Sequence, residues 1–238
     1  GEGGGEGRRR VGSARGKRGA KKSKIEEGAR ETVWTNTSIN QKQFKKLNNF
    51  FWIFSLDLKS SSSSVQQVIK NWIEINQKYN LKSWEFVTTA KRIIAWLSNS
   101  RLTYDDSTEE YKDSFNFIMQ KQTFHLLNQI KNLKNYDDKL VGITATILFS
   151  LSYKNQQKLL TISLDYLKKI IKNSLDKYGF PKSRSIQQSI FYLKYLILIR
   201  EWFKESQINI PEFIDEYIFY LVQSYTFFLY MINFDALF

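Results

Sequence analysis

Cysteine is absent from the 238 residues, which excludes a disulfide framework, a thiolate metal site and a cysteine nucleophile. There is a single histidine, His125, so no histidine-rich metal cluster can form. Proline occurs twice, at Pro181 and Pro211, and only Gly142 and Gly179 lie outside the N-terminal segment that holds the other glycines. The chain also lacks a G-x-S-x-G elbow, a phosphate loop and a dinucleotide fingerprint. No apolar stretch follows the basic N-terminal residues, so they are not read as a signal peptide, and the compartment stays open.

What is present divides into two parts. Residues 1–30 hold ten Lys/Arg and four Asp/Glu with almost no apolar side chains, a composition that cannot offset its ordering entropy. Residues 1–38 are therefore expected to be a disordered basic Gly/Arg-rich tail. Three readings stand for it: a nucleic-acid-binding arm acting through residues 1–30, a solvated linker, or a segment foreign to the body. The third rests on the genetic code, since Gly, Arg and Ala draw on GC-rich codons and the body's Lys, Asn, Ile, Phe and Tyr on AT-rich ones. The net charge of +13 is shared between tail and body, and it invites a polyanionic partner.

Residues 39–238 are expected to form one all-α domain, because apolar residues recur at spacings of three and four with little alternation. Phe44, Leu47, Phe51, Phe54 and Leu58 mark a first helix, ended by the serine run 60–64. Val65 to Ile75 mark a second, and Ser83 is read as the N-cap of a third. Ser107 with Glu110 reads as a capping box for a long fourth helix, which carries His125 as a half-buried, hydrogen-bonded side chain. Asp137 and Asp138 open a fifth; a sixth covers about 155–177 with Gly179 near its C-cap. A seventh covers about 184–205, and Pro211 begins an eighth. Short connections make these antiparallel αα-hairpins, arranged as a solenoid or as an incomplete α/α toroid. The uncharged run Tyr217–Phe234 has membrane-span length, but Gln223, Ser224, Thr226 and Asn233 favour a helix covered by neighbours.

Acidic pairs at 105–106 and 109–110 lie at a loop and a helix start, where the dipole favours them. Trp84, Arg92 and Trp96 lie on or near one helix face, with Arg101 at the helix end. Such a set builds either core or a groove in which aromatic faces stack on sugars and arginine pairs with carboxylate or sulfate. Trp84 and Arg92 are the candidate ligand contacts of that set.

The segments "LNNFFWIFSLDL", "VIKNWIEIN", "SWEFVTTAKRIIAWLSN" and "YGFPKSRSIQQSIFYLKYLILIREW", in that order, resemble the N-terminal helical region of heparinase II/III-like proteins, relatives of polysaccharide lyases. The resemblance covers about residues 40–238. It implies an incomplete α/α toroid followed by a β-sandwich domain, and β-elimination on uronate-containing glycans, with no cofactor. Members of the family are often periplasmic or secreted. The mechanism needs a group that neutralises the uronate carboxylate, a Tyr or His base, and an acid for the leaving oxygen. The resemblance places the 179–188 loop near the substrate, making Lys182, Arg184, Ser185 and Gln188 candidate contacts. Pro181 stands where the family's loop has His, and Ser185 where it has Asn, whose paired donors a serine lacks. With the sandwich not in the chain, no catalytic residue is assigned. The expectation is a domain that holds an acidic polysaccharide without cleaving it alone. The alternatives are a non-catalytic helical interaction scaffold and nucleic-acid binding through the tail.

Overall fold

The structure is a computed structural model that describes residue 34, residues 39–57 and residues 61–235, with only the backbone given for 230–235. The expectations for the tail, and for Leu58, lie outside the described residues. Contacts divide the chain after Ile39 into two compact units, and the helical body is the second of them, Asn40–Phe238.

Every regular element among the described residues is helical. The helices are α1 (Gln41–Asn48), α2 (Ser62–Asn76), α3 (Phe86–Ser98), the single turn α4 (Ser100–Thr103), α5 (Glu109–Gln129), α6 (Tyr136–Ser152), α7 (Gln157–Ser174), α8 (Ile186–Glu205) and α9 (Glu212–Asp235). Most starts are fixed by a side chain that accepts from a free backbone N–H. Asn40 and Gln43 form a reciprocal capping box on α1, and Asn135 accepts from both Asp137 N and Asp138 N on α6. Ser185 caps α8.

Four expected boundaries move, each for a local reason. The first stripe is not one helix. Phe50 adopts a left-handed φ of 57°, and a 3-10 turn, Phe51–Ser55, follows. The cap of α3 is Glu85, whose carboxylate accepts from Thr88 N at 2.9 Å and from the Thr88 hydroxyl at 2.5 Å. Thr108, not Ser107, caps α5, so no capping box forms with Glu110. Helix α7 ends at Ser174, well before Gly179, and an isolated antiparallel bridge pairs Leu175 with Pro181. Gly179 instead lets α9 approach the loop. Its φ is 79°, and a Cβ there would stand 2.9 Å from the backbone carbon of Tyr220 on α9.

Helix α6 is the hub. It packs against α3, α5, α7 and α8, while α9 packs on α8. All residues from Leu140 to Ser150 are buried. Its hydroxyls remain satisfied inside: Thr144 donates to Leu140 O, Ser150 to Thr146 O, and the Thr146 hydroxyl lies within hydrogen-bond reach of Ile143 O and of the Ser163 hydroxyl. Beside it lies an aromatic knot. Trp96 meets Phe50 at 5.1 Å, Trp72 at 5.6 Å and Phe115 at 5.3 Å between ring centroids, the first two edge-on as ring quadrupoles prefer. This knot explains the left-handed Phe50: bending the chain there places its ring, fully buried, between two tryptophans. Among the described residues no helix is long and apolar enough to cross a membrane.

Candidate functional site: an aromatic cleft at the end of the central helix

A cleft of about 840 Å³ opens where the C-terminal turn of α6 faces the C-terminal half of α8, with α3, α4 and α5 closing the other side. Its walls are aromatic: Phe54, Trp96, Tyr104, Phe115, Tyr153 and Trp202 all line it.

The polar edge of the cleft comes from three residues far apart in sequence. Helix α6 ends as Tyr153 turns to extended backbone and stacks its ring on Phe149 at 4.3 Å. That stacking holds the Tyr153 hydroxyl where it donates to Asn116 Oδ1 at 2.8 Å. Asn116 in turn donates through Nδ2 to the Tyr104 hydroxyl at 3.0 Å. The relay leaves the Tyr104 hydroxyl proton available to a ligand acceptor. Burial, and then the neighbouring Tyr104, push the Tyr153 phenol above its ordinary pKa, so at neutral pH it is a neutral hydrogen-bonding group and not a base.

Charge in the lining is mixed. Lys154 stands at one wall, Glu201 and Glu205 at the other. Glu201 is engaged by Lys204 Nζ at 2.9 Å and Arg200 Nη1 at 3.2 Å, and the Lys204 hydrogen bond leads the forces that lower its pKa. Trp96 Nε1 and Ser98 Oγ, both on lining residues, are buried without a protein hydrogen-bond partner. No group of three or more His, Asp or Glu suited to a metal exists among the described residues.

The six residues expected to touch a ligand do not line the cleft, and two of them are buried in the core. Arg92 is fully buried, not ligand-facing. Its guanidinium stacks on Trp72, 3.9 Å from the ring centroid. It donates to Asn48 O at 2.7 Å, Ser83 O at 3.0 Å, Gln122 Oε1 at 2.7 Å and Thr89 Oγ1 at 3.2 Å. Burial drives its pKa well down, yet every partner is an acceptor, so the geometry suits the protonated guanidinium. Trp84 is buried too and donates from Nε1 to Asn76 O at 2.8 Å. Both belong to the core, where they join α1, α2, α3 and α5.

The other four do gather, but around their own loop. Lys182 Nζ donates to Lys172 O at 3.0 Å, and Arg184, at a φ of 58°, pairs with Asp176 at 3.1 Å. Ser185 caps α8, accepting from Gln188 N at 3.3 Å. Gln188 bridges Ser183 Oγ at 2.5 Å and Asp137 Oδ1 at 2.8 Å. This loop is at the N-terminal end of α8, while Glu201 and Trp202 line the cleft from the other end. The rise along the helix from residue 188 to 201 separates them by about 20 Å. Sequence reasoning missed Tyr104, Asn116, Tyr153 and Lys154, since no local spacing links them.

His125 is half-buried, as expected. Its Nε2 donates to Trp84 O at 3.0 Å, and its ring packs on Trp84 and Tyr79. Burial lowers its pKa, with repulsion from Arg92 adding to that, against the opposing pull of the Trp84 carbonyl. A histidine pKa depressed in the folded state lets the unfolded chain take the proton first. Stability is then complete above the ordinary value of 6.5 and declines as pH falls through it towards the folded value. His125→Gln keeps a donor for Trp84 O and is expected to flatten that decline, measured by urea midpoints from neutral pH down to about pH 5.

Comparison with protein-family models, curated proteins and solved structures gave no match to this chain.

Proposed function

We propose that the helical body holds a uronate-containing glycan in the aromatic cleft, as the toroid-like domain of a heparinase II/III-like polysaccharide lyase. The observation that carries the reading is the cleft itself: a volume of about 840 Å³ walled by tyrosine and tryptophan, with the Tyr153–Asn116–Tyr104 relay along one edge. Aromatic faces cover the apolar face of a pyranose, and hydroxyl and amide edges exchange hydrogen bonds with its hydroxyls. Lys154 is the lining cation placed to meet a carboxylate. The chemistry of the lining favours holding over cleaving. A base for C5 must be ionised near neutral pH, and Tyr153 is pushed the opposite way. In this reading a β-sandwich domain supplies the base, and the helices alone do not eliminate. The loop contacts implied by the family resemblance at Lys182 and Arg184 would then serve a second, outer position along the same chain of sugars.

Titration calorimetry with heparan and alginate oligosaccharides tests this. Binding is expected to survive deletion of residues 1–30 and to weaken about tenfold or more in Trp202→Ala, which removes a stacking face while leaving the core intact. Binding lost with the tail and untouched by Trp202→Ala would transfer the glycan to the tail. Formation of an unsaturated uronate by this chain, read by its ultraviolet absorbance, would refute the claim that it does not cleave.

A second reading, a helical interaction scaffold, draws on the outer side of α9, where Phe219, Val222, Phe227 and Leu229 are exposed. Failure of every glycan to bind would favour it.

A further inference from the structure

We propose that the turn after α2 and the outer stripe of α5 form one surface that docks on an anionic lipid bilayer. The most exposed large apolar side chain among the described residues is Leu81, at 78 %, and Phe117 at 59 %, Tyr79 at 54 % and Phe124 at 48 % are exposed as well. These residues fall on two elements that the structure ties together. Phe117, Lys121 and Phe124 recur at helical spacing on one side of α5. Lys121 Nζ donates to Gln77 O at 2.5 Å and lies 5.9 Å from the Phe117 ring and 5.7 Å from the Trp84 ring. Tyr79 packs on His125 at 5.2 Å and on Trp84 at 6.2 Å, which fixes the turn against the same helix.

The exposure of Leu81 is held in place by its turn. Asn80 Oδ1 accepts from Lys82 N at 2.9 Å and from Ser83 N at 3.3 Å, and Asn80 O accepts from Trp84 N at 2.9 Å. The backbone on both sides of Leu81 is thus pinned while its side chain projects into solvent. Lys78, Lys82 and Lys121, all exposed, belong to the same two elements as the apolar groups, and the exposed acids Glu74 and Asp113 lie one helical turn before Lys78 and Phe117. Apolar prongs ringed by lysine match a headgroup region of negative charge above an acyl boundary. Tyrosine suits the boundary itself, and lysine stems extend to lipid phosphate. A single-stranded nucleic acid fits less well. Stacking platforms need π faces, and the most projecting group here is aliphatic. The contact is peripheral, in keeping with the lack of a membrane-crossing helix among the described residues.

The absence of cysteine makes the test direct, because Leu81→Cys carries one environment-sensitive fluorophore in the full chain. With phosphatidylcholine vesicles containing phosphatidylglycerol, the label at 81 is expected to shift to the blue and brighten. With phosphatidylcholine alone it should not, and a label at Asn209→Cys should stay unchanged on both. Leu81→Asp combined with Phe117→Ser changes only exposed positions and is expected to lower partitioning of the otherwise native chain about tenfold or more. Four results would each overturn the proposal: a label at 81 that stays in water while the protein co-sediments through its basic tail, an equal response at 209, unchanged partitioning of the double variant, and a response to oligo(dT) without one to vesicles.

Discussion

Arg92→Met is expected to destabilise the fold by about 3–5 kcal/mol, the range for breaking a buried polar network from one side. The substitution removes the donors of two backbone carbonyls, Asn48 O and Ser83 O, and of the Gln122 and Thr89 side-chain oxygens. None of these acceptors can reach water, since Asn48, Ser83, Gln122 and Thr89 are themselves buried. Relief of the cost of burying a charge works in the opposite direction and offsets part of the loss. It cannot offset all of it, because two of the acceptors are main chain and cannot be replaced by apolar groups in a compensating mutation. Gln122 Nε2 is itself an unpartnered donor, so loss of the Arg92 bond to Gln122 Oε1 leaves both polar groups of that buried amide unsatisfied. Arg92→Lys should also be poorly tolerated: a compact ammonium cannot span acceptors on α1, α3, α5 and the Ser83 turn at once, nor stack flat on Trp72. Urea unfolding at constant m-value measures the loss. A change of less than about 1 kcal/mol in the methionine variant would remove Arg92 from this role.

Gly142→Ala should cost about 2–4 kcal/mol, against the usual gain of about 1 kcal/mol for this exchange in a helix interior. An added Cβ would overlap the Phe86 ring, which closes directly over Gly142 where α3 meets α6. Phe86 is itself buried at the first position of α3, so the ring cannot swing out without opening one of the two most extensive helix contacts of the hub. In the Gly142→Ala background Phe86→Leu should recover part of the loss, a coupling read by a double-mutant cycle. A stabilised alanine variant would mean that propensity outweighs packing at this position.

Much of the helical order was legible because it is written at spacings of three and four and closed by local caps. The Asp137–Asp138 start is such a case, with the Asn135 side chain accepting from backbone two and three residues away. Where the sequence misled, a distant partner decided. Ser83 looks like a cap, but its carbonyl serves Arg92 and the capping falls to Glu85. The first apolar stripe looks continuous, but burial of Phe50 among Trp72 and Trp96 outweighs an unbroken helix. Arg92 and Trp96 lie on α3, Trp84 lies in the turn before it, and all three are core, since the periodicity that suggests a groove also builds a core. The cleft was not legible at all. Tyr104, Asn116 and Tyr153 meet only because α5 and the end of α6 come together, and neighbouring residues give no sign of it.

The hub position of α6 also bears on how the chain is made. Tyr136–Ser152 leaves the ribosome with α3 and α5 already available, but two of its four covering partners, α7 and α8, are still to be synthesised. At a synthesis rate of about 5–20 residues per second, this leaves the helix partly uncovered for some seconds, since α8 is complete only at Glu205. The stretch concerned has no charged side chain between Leu140 and Ser152. Nascent-chain collapse, and any chaperone that attends it, is therefore expected to act on this segment before the cleft at its C-terminal end exists.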